Sequence, residues 1–477
     1  MLLIAIVLLP ALAAAAAYAV ADRGRRSWLL VGAAAVHVGL VAALWRVPDQ
    51  SALNGWLQAD ALGLVVLTLE SVLFMAVATY ALGFFRTDKP RGGRWFVSCL
   101  LAFLSAVSLV SVTQHLAVLW VGMESTTLAM APLVFHRRDR RSLEAVWKYL
   151  MLSSVGIAFA LLAVFLLANA QPTGARPLLL PDLLAHAGQL DHRWLRLAFA
   201  FALIGFGTKM GLAPLHTWKP DTYGEAPALI GGLMSGGLTS VAFLGLARFT
   251  QVTLAAGMAP FVRPLLVAFG LLSVAVATAF ILGQTDLKRL LAYSSVEHMG
   301  LLVLGLGIGG AGSYGAVLHV LNNGLLKGAL FLVVGNLVLA ANSSVAAEMK
   351  GMLARAPVSA VLLVVGLFAV TGTPPFGLFV SEYSIVIGAI RQGHLWIAMA
   401  LVAMLSVIFV GLAKMMLELV YVDAGPGAAR GATRESAWLL AGPIALLTMV
   451  LALGFYIPAP LQNVLQRAAL SLGGGAP

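Results

Sequence analysis

Long apolar stretches, separated by short polar segments, repeat along almost the whole chain. Each has roughly 20 residues or more, the length that an α-helix needs to cross a hydrocarbon layer of about 30 Å. Backbone polar groups inside a bilayer must be satisfied within the protein, and a helix satisfies them within one segment. We therefore predict an all-α, polytopic membrane protein of about fourteen transmembrane helices. Their approximate limits are 1–21, 27–46, 61–85, 95–113, 115–135, 143–170, 195–218, 226–249, 261–283, 288–310, 314–341, 356–390, 395–421 and 436–457.

The composition excludes a water-soluble protein. Of the 477 residues, 61% are hydrophobic and 10% are charged, and the mean hydropathy is +0.95. The first run, Leu2–Val20, lacks a basic leader and a cleavage site, so it is predicted to stay as the first span. Cys99 is the one cysteine, so thiolates of this chain cannot hold a metal cluster. We expect no cofactor in this chain, and we expect any redox chemistry to lie on a partner.

Basic residues determine the predicted topology. The net charge of +11 does not indicate nucleic acid, because Lys and Arg lie in short loops between spans. One set of alternate loops holds about eighteen of them and the other set about eight, so the first set should face the cytoplasm. Both termini are then expected on the periplasmic side of a bacterial inner membrane. The cytoplasmic set is Arg23, Arg25, Arg26, Arg86, Lys89, Arg91, Arg94, Arg137, Arg138, Arg140, Arg141, Lys219, Lys288, Arg289, Lys350, Arg355, Arg430 and Arg434.

Two predicted spans contain helix breakers. Pro214 interrupts the span 195–218, and Thr373–Pro375 interrupts the span 356–390. Discontinuous helices at corresponding places in two halves are typical of inverted-repeat transporters. We predict a single membrane domain that contains two inverted five-helix repeats and flanking helices. The repeats are 95–249 and 261–421, and the flanking parts are 1–94 and 436–477.

Ionisable side chains lie inside several spans, where a charge costs at least about 2.5–3.5 kcal/mol and therefore needs a partner or a purpose. Glu124 and Lys209 lie at mid-span with opposite charges, and Lys209 comes just before the break at Pro214. They predict an ion pair. The pair either transfers protons or locks two helices together, and the first is favoured because apolar packing would lock them without desolvating charges.

A polar stripe and a second carboxylate lie further along the chain. His319, Asn323 and Lys327 follow at intervals of four and so share one helical face. Such a stripe holds ordered water between protonatable groups, or it forms a polar seam between helices. Glu382 follows the second break and mirrors Lys209 beside the first. Carbonyls freed at a break bind water or a cation and would give this carboxylate a solvated route, although simple packing is the alternative.

Other polar residues fit accessory roles as well as structural ones. Glu144 and Lys148 are an i,i+4 pair near a cytoplasmic helix end, where a plain salt bridge is as consistent as proton uptake. His298, next to Glu297, fits a relay or a satisfied polar contact. His216 fits a group that guards the cytoplasmic mouth or one that caps a helix.

These groups predict a path for protons. A carboxylate that approaches or recedes from a buried lysine changes how strongly the lysine holds its proton, so Glu124 could make Lys209 take up and release one. We predict uptake near Glu144 and Lys148. The later positions, in order, are Lys209, His319, Lys327 and, at the outer exit, Glu382.

The same residues carry a resemblance that covers nearly the whole chain. Gly205–Pro227, Asp286–Gly300 and His319–Leu332 resemble antiporter-like proton-translocating subunits, a group shared by respiratory complex I, Mrp cation/proton antiporters and membrane-bound hydrogenases. Leu143–Tyr149 and the Ser-Ser-Val-Glu-His-Met-Gly run ending at Gly300 are most similar to hydrogenase-4 component F.

The resemblance also implies roles for individual residues. Glu124 and Lys209 would be the central pair of the family. Lys327 would be its central lysine, and Glu382 its exit residue. Ser235 aligns where relatives carry Lys or His early in the eighth span, and Asn323 aligns where a second histidine often occurs. Both accessory positions would pass protons only through water.

The predicted function is proton translocation by a membrane subunit whose partner performs the catalysis. The resemblance implies that the chain assembles with other membrane subunits and with a peripheral oxidoreductase arm similar to NiFe hydrogenases. The chain itself is expected to contact lipid. Two alternatives are an Mrp-type Na⁺/proton antiporter and an energising subunit for inorganic carbon uptake, whose partner would be a soluble zinc hydratase. A third, of a different class, is a scaffold that transports nothing, and it predicts intact activity after neutralisation of Lys209 or Glu382.

Overall fold

A computed structural model of the chain describes residues 1–47, 50–87, 93–172, 177–422 and 435–474. The described part is almost entirely helical, as the apolar pattern predicts. Four basic residues used in the topology prediction lie outside these ranges, namely Lys89, Arg91, Arg430 and Arg434.

The helices follow one another with short connections. The first half contains α1 Leu2–Ala19, α2 Arg23–Leu44, α3 Ala61–Thr87, α4 Gly93–Val112, α5 Leu116–Val134, α6 Arg140–Asn169, α7 Leu180–Ala185, α8 His192–Met210, α9 Trp218–Glu225, α10 Ala228–Gly232 and α11 Thr239–Ala255. The second half contains α12 Ala259–Ile281, α13 Leu287–Ile308, α14 Ala311–Ala341, α15 Met352–Arg355, α16 Pro357–Val370, α17 Gly377–Arg391, α18 Leu395–Tyr421, α19 Ala437–Phe455 and α20 Ala459–Leu470. A two-residue antiparallel pair, β1 Ser51–Ala52 and β2 Leu57–Gln58, connects α2 to α3.

Most of the predicted spans correspond to single helices. Twelve helical stretches in the described ranges are long and apolar enough to cross a membrane, counting α10, a π-helical turn at Leu233–Leu238 and α11 as one stretch. The two remaining predicted spans are those with helix breakers, which form α8 with α9 and α16 with α17. The prediction of an all-α polytopic membrane protein with two broken helices is confirmed, whereas the inverted repeats stay a prediction.

Three backbone groups at the two breaks find side-chain partners on neighbouring elements. At the first break, Trp218 donates its ring N–H to the carbonyl oxygen of Thr208 at 2.8 Å, and Ala213 donates its backbone N–H to Ser273 Oγ at 2.9 Å. At the second break, Asn322 donates its side-chain amide to the carbonyl oxygen of Gly377 at 3.0 Å. Irregular backbone is tolerated at membrane depth only where such partners satisfy it.

The polar residues of interest lie in the interior of the bundle. The spanning windows of α10–α11 and α13 are buried along their full length, and most of the α14 window is buried, whereas α12 and α18 bury about a third of theirs. The bundle is tightly packed, and α12 approaches α13 closely where a side chain added at Gly300 would meet the carbonyl oxygen of Gly270 at 2.8 Å. Small residues allow this approach between membrane helices. The bundle therefore holds α13 and α14 away from lipid.

Two lysines that were predicted to lie in cytoplasmic loops are instead buried. Lys219 is fully buried in α9, and Lys288 is almost fully buried at the start of α13. The prediction was wrong for these two residues because α9 is a short, polar helix that packs inside the bundle after the first break. Lys288 donates a hydrogen bond to the carbonyl oxygen of Ala226 at 3.0 Å, which ties α13 to the connection between α9 and α10.

Candidate functional site

The first group of site residues connects α5, α6 and α8. Lys209 is fully buried, and its ammonium group donates a hydrogen bond to Thr127 Oγ1 at 2.5 Å. The Thr127 hydroxyl in turn donates to Glu124 Oε2 at 3.3 Å. The structure therefore corrects the predicted direct ion pair, because a hydroxyl lies between the two charged groups. We call Glu124, Thr127 and Lys209 the first triad.

An aromatic side chain completes the surroundings of the first triad. The Tyr149 hydroxyl accepts a hydrogen bond from Lys209 Nζ at 3.3 Å, and the Tyr149 ring centre lies 5.1 Å from the same atom. Such a contact favours the charged lysine where water is excluded. Sequence reasoning assigned no role to Thr127 or Tyr149. The one sequence signal for Thr127 was its position three residues after Glu124, which places both side chains on the same helical face.

The second group repeats this arrangement between α13 and α14. Lys327 is fully buried and donates a hydrogen bond to Ser294 Oγ at 2.7 Å, and the Ser294 hydroxyl donates to Glu297 Oε2 at 3.2 Å. A buried lysine again reaches a carboxylate through one hydroxyl, and here the carboxylate is buried, whereas Glu124 is half-buried. We call Ser294, Glu297 and Lys327 the second triad. Sequence reasoning left Glu297 open between a relay and a packing contact, and it missed Ser294.

A histidine pair lies beside the second triad. His298 Nδ1 and His319 Nε2 are 3.2 Å apart, and His319 Nδ1 contacts Ser381 Oγ at 2.9 Å. Ring nitrogens of both histidines and a carboxylate oxygen of Glu382 lie within 4.8 Å of one another, and all three residues are buried. Two imidazoles and a carboxylate are ligands that can bind Zn²⁺, and they can equally well pass a proton from one group to the next.

Several buried polar atoms near these groups have no hydrogen-bond partner among the described residues. They are both amide atoms of Asn323, Ser235 Oγ, His298 Nε2, Glu382 Oε1 and both carboxylate oxygens of Glu70. Buried polar groups are normally satisfied, and ordered water supplies the missing bonds where protein atoms do not. Ser235 lies in the π-helical turn, a feature common at functional sites. The unpartnered atoms of Ser235 and Asn323 are therefore free to bind water.

Charged residues form a network near the N-terminal end of α6, which the basic residues predict to face the cytoplasm. Lys148 Nζ lies 2.7 Å from Glu144 Oε1 and 2.7 Å from Asp221 Oδ2, and Arg289 reaches Asp221 Oδ1 at 3.1 Å. The predicted pair of Glu144 and Lys148 therefore exists, with two further members. Its lysine is 44% exposed and its glutamate 66% exposed, so the pair itself contributes little stability. His216, also predicted for this mouth, is mostly buried beside Tyr293.

An ion pair on the opposite side of the bundle was not expected from the sequence. Arg248 of α11 forms two hydrogen bonds to Asp60, at 2.7 and 2.5 Å, and the Asp60 residue precedes α3. Burial alone would raise the pKa of Asp60, but the charge of Arg248 and hydrogen bonds from Arg248, Gly63 and Gln114 outweigh it and lower the pKa. This pair joins α3 to α11 outside the proposed path.

A bundle of membrane helices with two broken spans and buried lysine–hydroxyl–carboxylate groups defines an antiporter-like membrane subunit. The chain belongs to the family described as NADH:quinone oxidoreductase/Mrp antiporter, transmembrane, which matches residues 113–408. The predicted resemblance is confirmed. A hydrogenase-4 component F homolog of Methylacidiphilum infernorum is 32% identical over 446 residues, covering 91% of this chain and 92% of the relative. NADH-quinone oxidoreductase subunit N of Desulforudis audaxviator is 28% identical, covering 93% of each chain.

Solved structures with this fold come from membrane complexes. A chain of an archaeal membrane-bound sulfane sulfur reductase aligns with a TM-score of 0.90 and 22% identity, covering 99% of this chain and 98% of its own length. A chain of the Mrp complex from Dietzia sp. aligns with a TM-score of 0.86 and 19% identity, covering 98% and 96%. The nature of these neighbours supports the expectation of other membrane subunits as partners.

Proposed function

We propose that this chain moves protons across a bacterial inner membrane as one subunit of a multi-subunit oxidoreductase complex of the hydrogenase type. The observation that carries the proposal is the pair of triads, in which Lys209 and Lys327 each reach a carboxylate through one hydroxyl inside the bundle. Burying charged groups without a use would be unfavourable compared with apolar packing. Both termini are proposed to lie on the periplasmic side.

The proposed path begins at the cytoplasmic charged network and ends near the second break. Glu144 and Lys148 attract protons at the mouth, and Lys209 takes them up in the first triad. Lys327 then receives them in the second triad. We place His319 after Lys327 and not before it, unlike the order predicted from the sequence. His319 and His298 then connect this triad to Glu382, the proposed exit, because their ring nitrogens and its carboxylate lie within 4.8 Å of one another.

Each triad works as a proton switch in this proposal. When the carboxylate is charged, the hydroxyl between the two groups orients toward it and its oxygen accepts from the lysine, which favours the ammonium form. When the carboxylate is neutralised or displaced, the lysine becomes an isolated charge in a low-dielectric interior and releases its proton. A partner that changes the carboxylate would therefore drive protons along the row.

The experiment uses the complex that copurifies with this chain, reconstituted in vesicles with a pH-sensitive dye inside. A potassium gradient with valinomycin supplies the driving potential. Lys209→Met and Glu382→Gln should reduce proton movement to that of protein-free vesicles, because each removes one protonatable group in series. Lys414→Met changes an exposed lysine of α18 and should leave the rate unchanged. Full transport in both site variants would favour the scaffold and contradict the proposal.

Exchange of Na⁺ for protons is the second candidate. It is favoured by the position of Glu382, whose carboxylate lies against Gly372 in the second break, where freed carbonyl oxygens are ligands suited to hard cations. Proton movement that depends on Na⁺ in the same vesicles would support exchange.

Metal analysis of the copurified complex identifies the partner: nickel and iron indicate a hydrogenase arm, and zinc alone indicates a hydratase for inorganic carbon uptake.

A further inference from the structure

Lys219 is a buried lysine that the path described above does not use. It lies in α9, directly after the first break, and no part of it is exposed. Its ammonium group donates a hydrogen bond to Ser295 Oγ at 3.0 Å and lies 3.5 Å from the carbonyl oxygen of the same residue. The ring of Tyr223 lies 5.9 Å away. Sequence reasoning placed this residue in a loop and gave it no role.

Lys219 has no acidic partner in the part of the chain that the structure describes. Every ion pair found there involves other residues, so no carboxylate oxygen lies within 4.0 Å of its Nζ atom. The charged group that acts on it is Lys327, which has the same sign. A permanently charged lysine in such a place would be costly, and removing the charge by releasing the proton is the usual solution. Lys219 is therefore suited to carrying a proton for part of the time only.

The side chain of Lys219 extends from the end of α8 to α13, the helices that carry Lys209 and Ser294. Its aliphatic stem packs on Gly211, two residues after Lys209, so closely that a Cβ atom at position 211 would lie 2.4 Å from Lys219 Cδ. Its amine ends at Ser295, whose neighbour in sequence, Ser294, accepts the hydrogen bond from Lys327. The stem thus starts beside the end of α8, which carries the first triad's lysine, and the amine ends at the residue that follows Ser294 in α13.

We propose that Lys219 carries protons between the first and second triads. This inference rests on the proposed function and adds the link between the two halves. The neutral amine accepts one proton released from Lys209 and becomes an ammonium group. It then passes one proton to the neutral amine of Lys327, through the hydroxyls of Ser295 and Ser294, each of which accepts one proton and gives up another. Lys219 and both hydroxyls then return to their starting states, while Lys209 has lost one proton and Lys327 has gained one.

The neighbouring helix offers a position for a relocation test. Ser235 is fully buried in the π-helical turn, and the hydroxyl of Tyr223 faces the side chains of both Ser235 and Ser295. An amine extending from position 235 therefore enters the same polar region from α10–α11 and not from α9. A residue that only pins α9 to α13 could not be replaced in this way, whereas a proton carrier could.

The test measures proton movement in the reconstituted complex under the potassium potential described above. Lys219→Met should slow it at least about tenfold, because a barrier higher by about 1.4 kcal/mol already has that effect. The double variant Lys219→Met with Ser235→Lys should recover a clear part of the rate. Lys288→Met is the matched control, because Lys288 is also buried but hydrogen bonds only to a backbone carbonyl, and it should transport at the original rate.

Each outcome separates the inference from the function on which it rests. If Lys219→Met transports normally while Lys209→Met does not, Lys219 is not a carrier and the proposed function stands. If Lys209→Met also transports normally, the proposed function itself is wrong. A slow Lys219→Met without recovery in the double variant, with unchanged copurification and thermal midpoint, would mean that Lys219 has a positioning role and would overturn the inference.

Discussion

Replacing Thr127 with valine removes the hydroxyl that joins Lys209 to Glu124 and keeps the branched shape of the side chain. Lys209 Nζ then loses its shortest hydrogen bond, at 2.5 Å, and keeps only the longer bond to the Tyr149 hydroxyl at 3.3 Å. Glu124 loses the donor at 3.3 Å that connects it to the lysine. The packing of α5 is preserved because valine and threonine have similar volumes.

The expected effect follows from the strength of the lost contact. A hydrogen bond to a charged group contributes about 1.5–3 kcal/mol, and each 1.4 kcal/mol changes a rate about tenfold. We therefore expect Thr127→Val to slow proton movement by about tenfold to a hundredfold. Thr127→Ser keeps the hydroxyl and should retain most of the rate. The assay is dye-reported proton uptake into vesicles that contain the whole complex, normalised to the amount of incorporated protein.

A neighbouring threonine provides the control for this prediction. Thr126 is also fully buried, but its hydroxyl donates to the carbonyl oxygen of Met123 at 2.6 Å and not to a site residue. Thr126→Val should therefore transport normally. The reasoning would be refuted if Thr127→Val moved protons at the original rate, or if Thr126→Val and Thr127→Val were equally slow.

Three further variants test other parts of the structure. Glu297→Gln should slow proton movement at least about tenfold, because Lys327 then lacks the charge that stabilises its ammonium form, and normal vesicle transport would exclude Glu297 from the path. Asp60→Asn should lower stability by about 2 kcal/mol at neutral pH by leaving the buried Arg248 without its charged partner, measured as a lower thermal midpoint in detergent. Because the pKa of Asp60 is lowered in the folded protein, its contribution is complete above the ordinary aspartate pKa and is lost as the pH falls through the folded value. The difference between the two midpoints should therefore shrink below about pH 4, and a constant difference would contradict the ion pair. Gly211→Ala should slow transport, because the added Cβ displaces the stem of Lys219 and strains a backbone position whose φ is +74°. Gly39→Ala, where an added Cβ meets no atom within 4 Å, should have no effect on transport.

The membrane spans and the two breaks were predictable because each follows from a local property of the sequence. An apolar run of sufficient length specifies a span, and Pro214 and Thr373–Pro375 specify where two spans break. The short helix α9 was not predictable in the same way, because its sequence is polar and contains Pro220. It is helical and buried because it packs against α6 and α13, and only these surrounding helices determine that.

The charged members of the site were also predictable, whereas the groups that connect them were not. A charge at mid-span is costly and therefore informative, which is why Lys209, Lys327 and Glu382 were found. Serine and threonine are common in membrane helices, where their hydroxyls also bond to the preceding turn, so one hydroxyl carries little information. The roles of Thr127 and Ser294 depend on a lysine from another helix, and such a contact between distant segments cannot be found from spacing along a single helix.

The two triads also predict how defects in them combine. If protons pass through the first triad and then the second as separate steps, the times of the two steps add. Two variants that each slow transport about tenfold, Thr127→Val and Ser294→Ala, should then give a double variant that is slower by about twentyfold. If both triads instead contribute to one concerted event, the barriers add and the double variant should be slower by about a hundredfold. The separate side-chain contacts of Lys209 and Lys327, which share no hydroxyl, favour the first result. Each triad is complete in itself. A double variant whose slowing equals the product of the two single effects in the vesicle assay would therefore contradict the proposal that the triads act in separate steps.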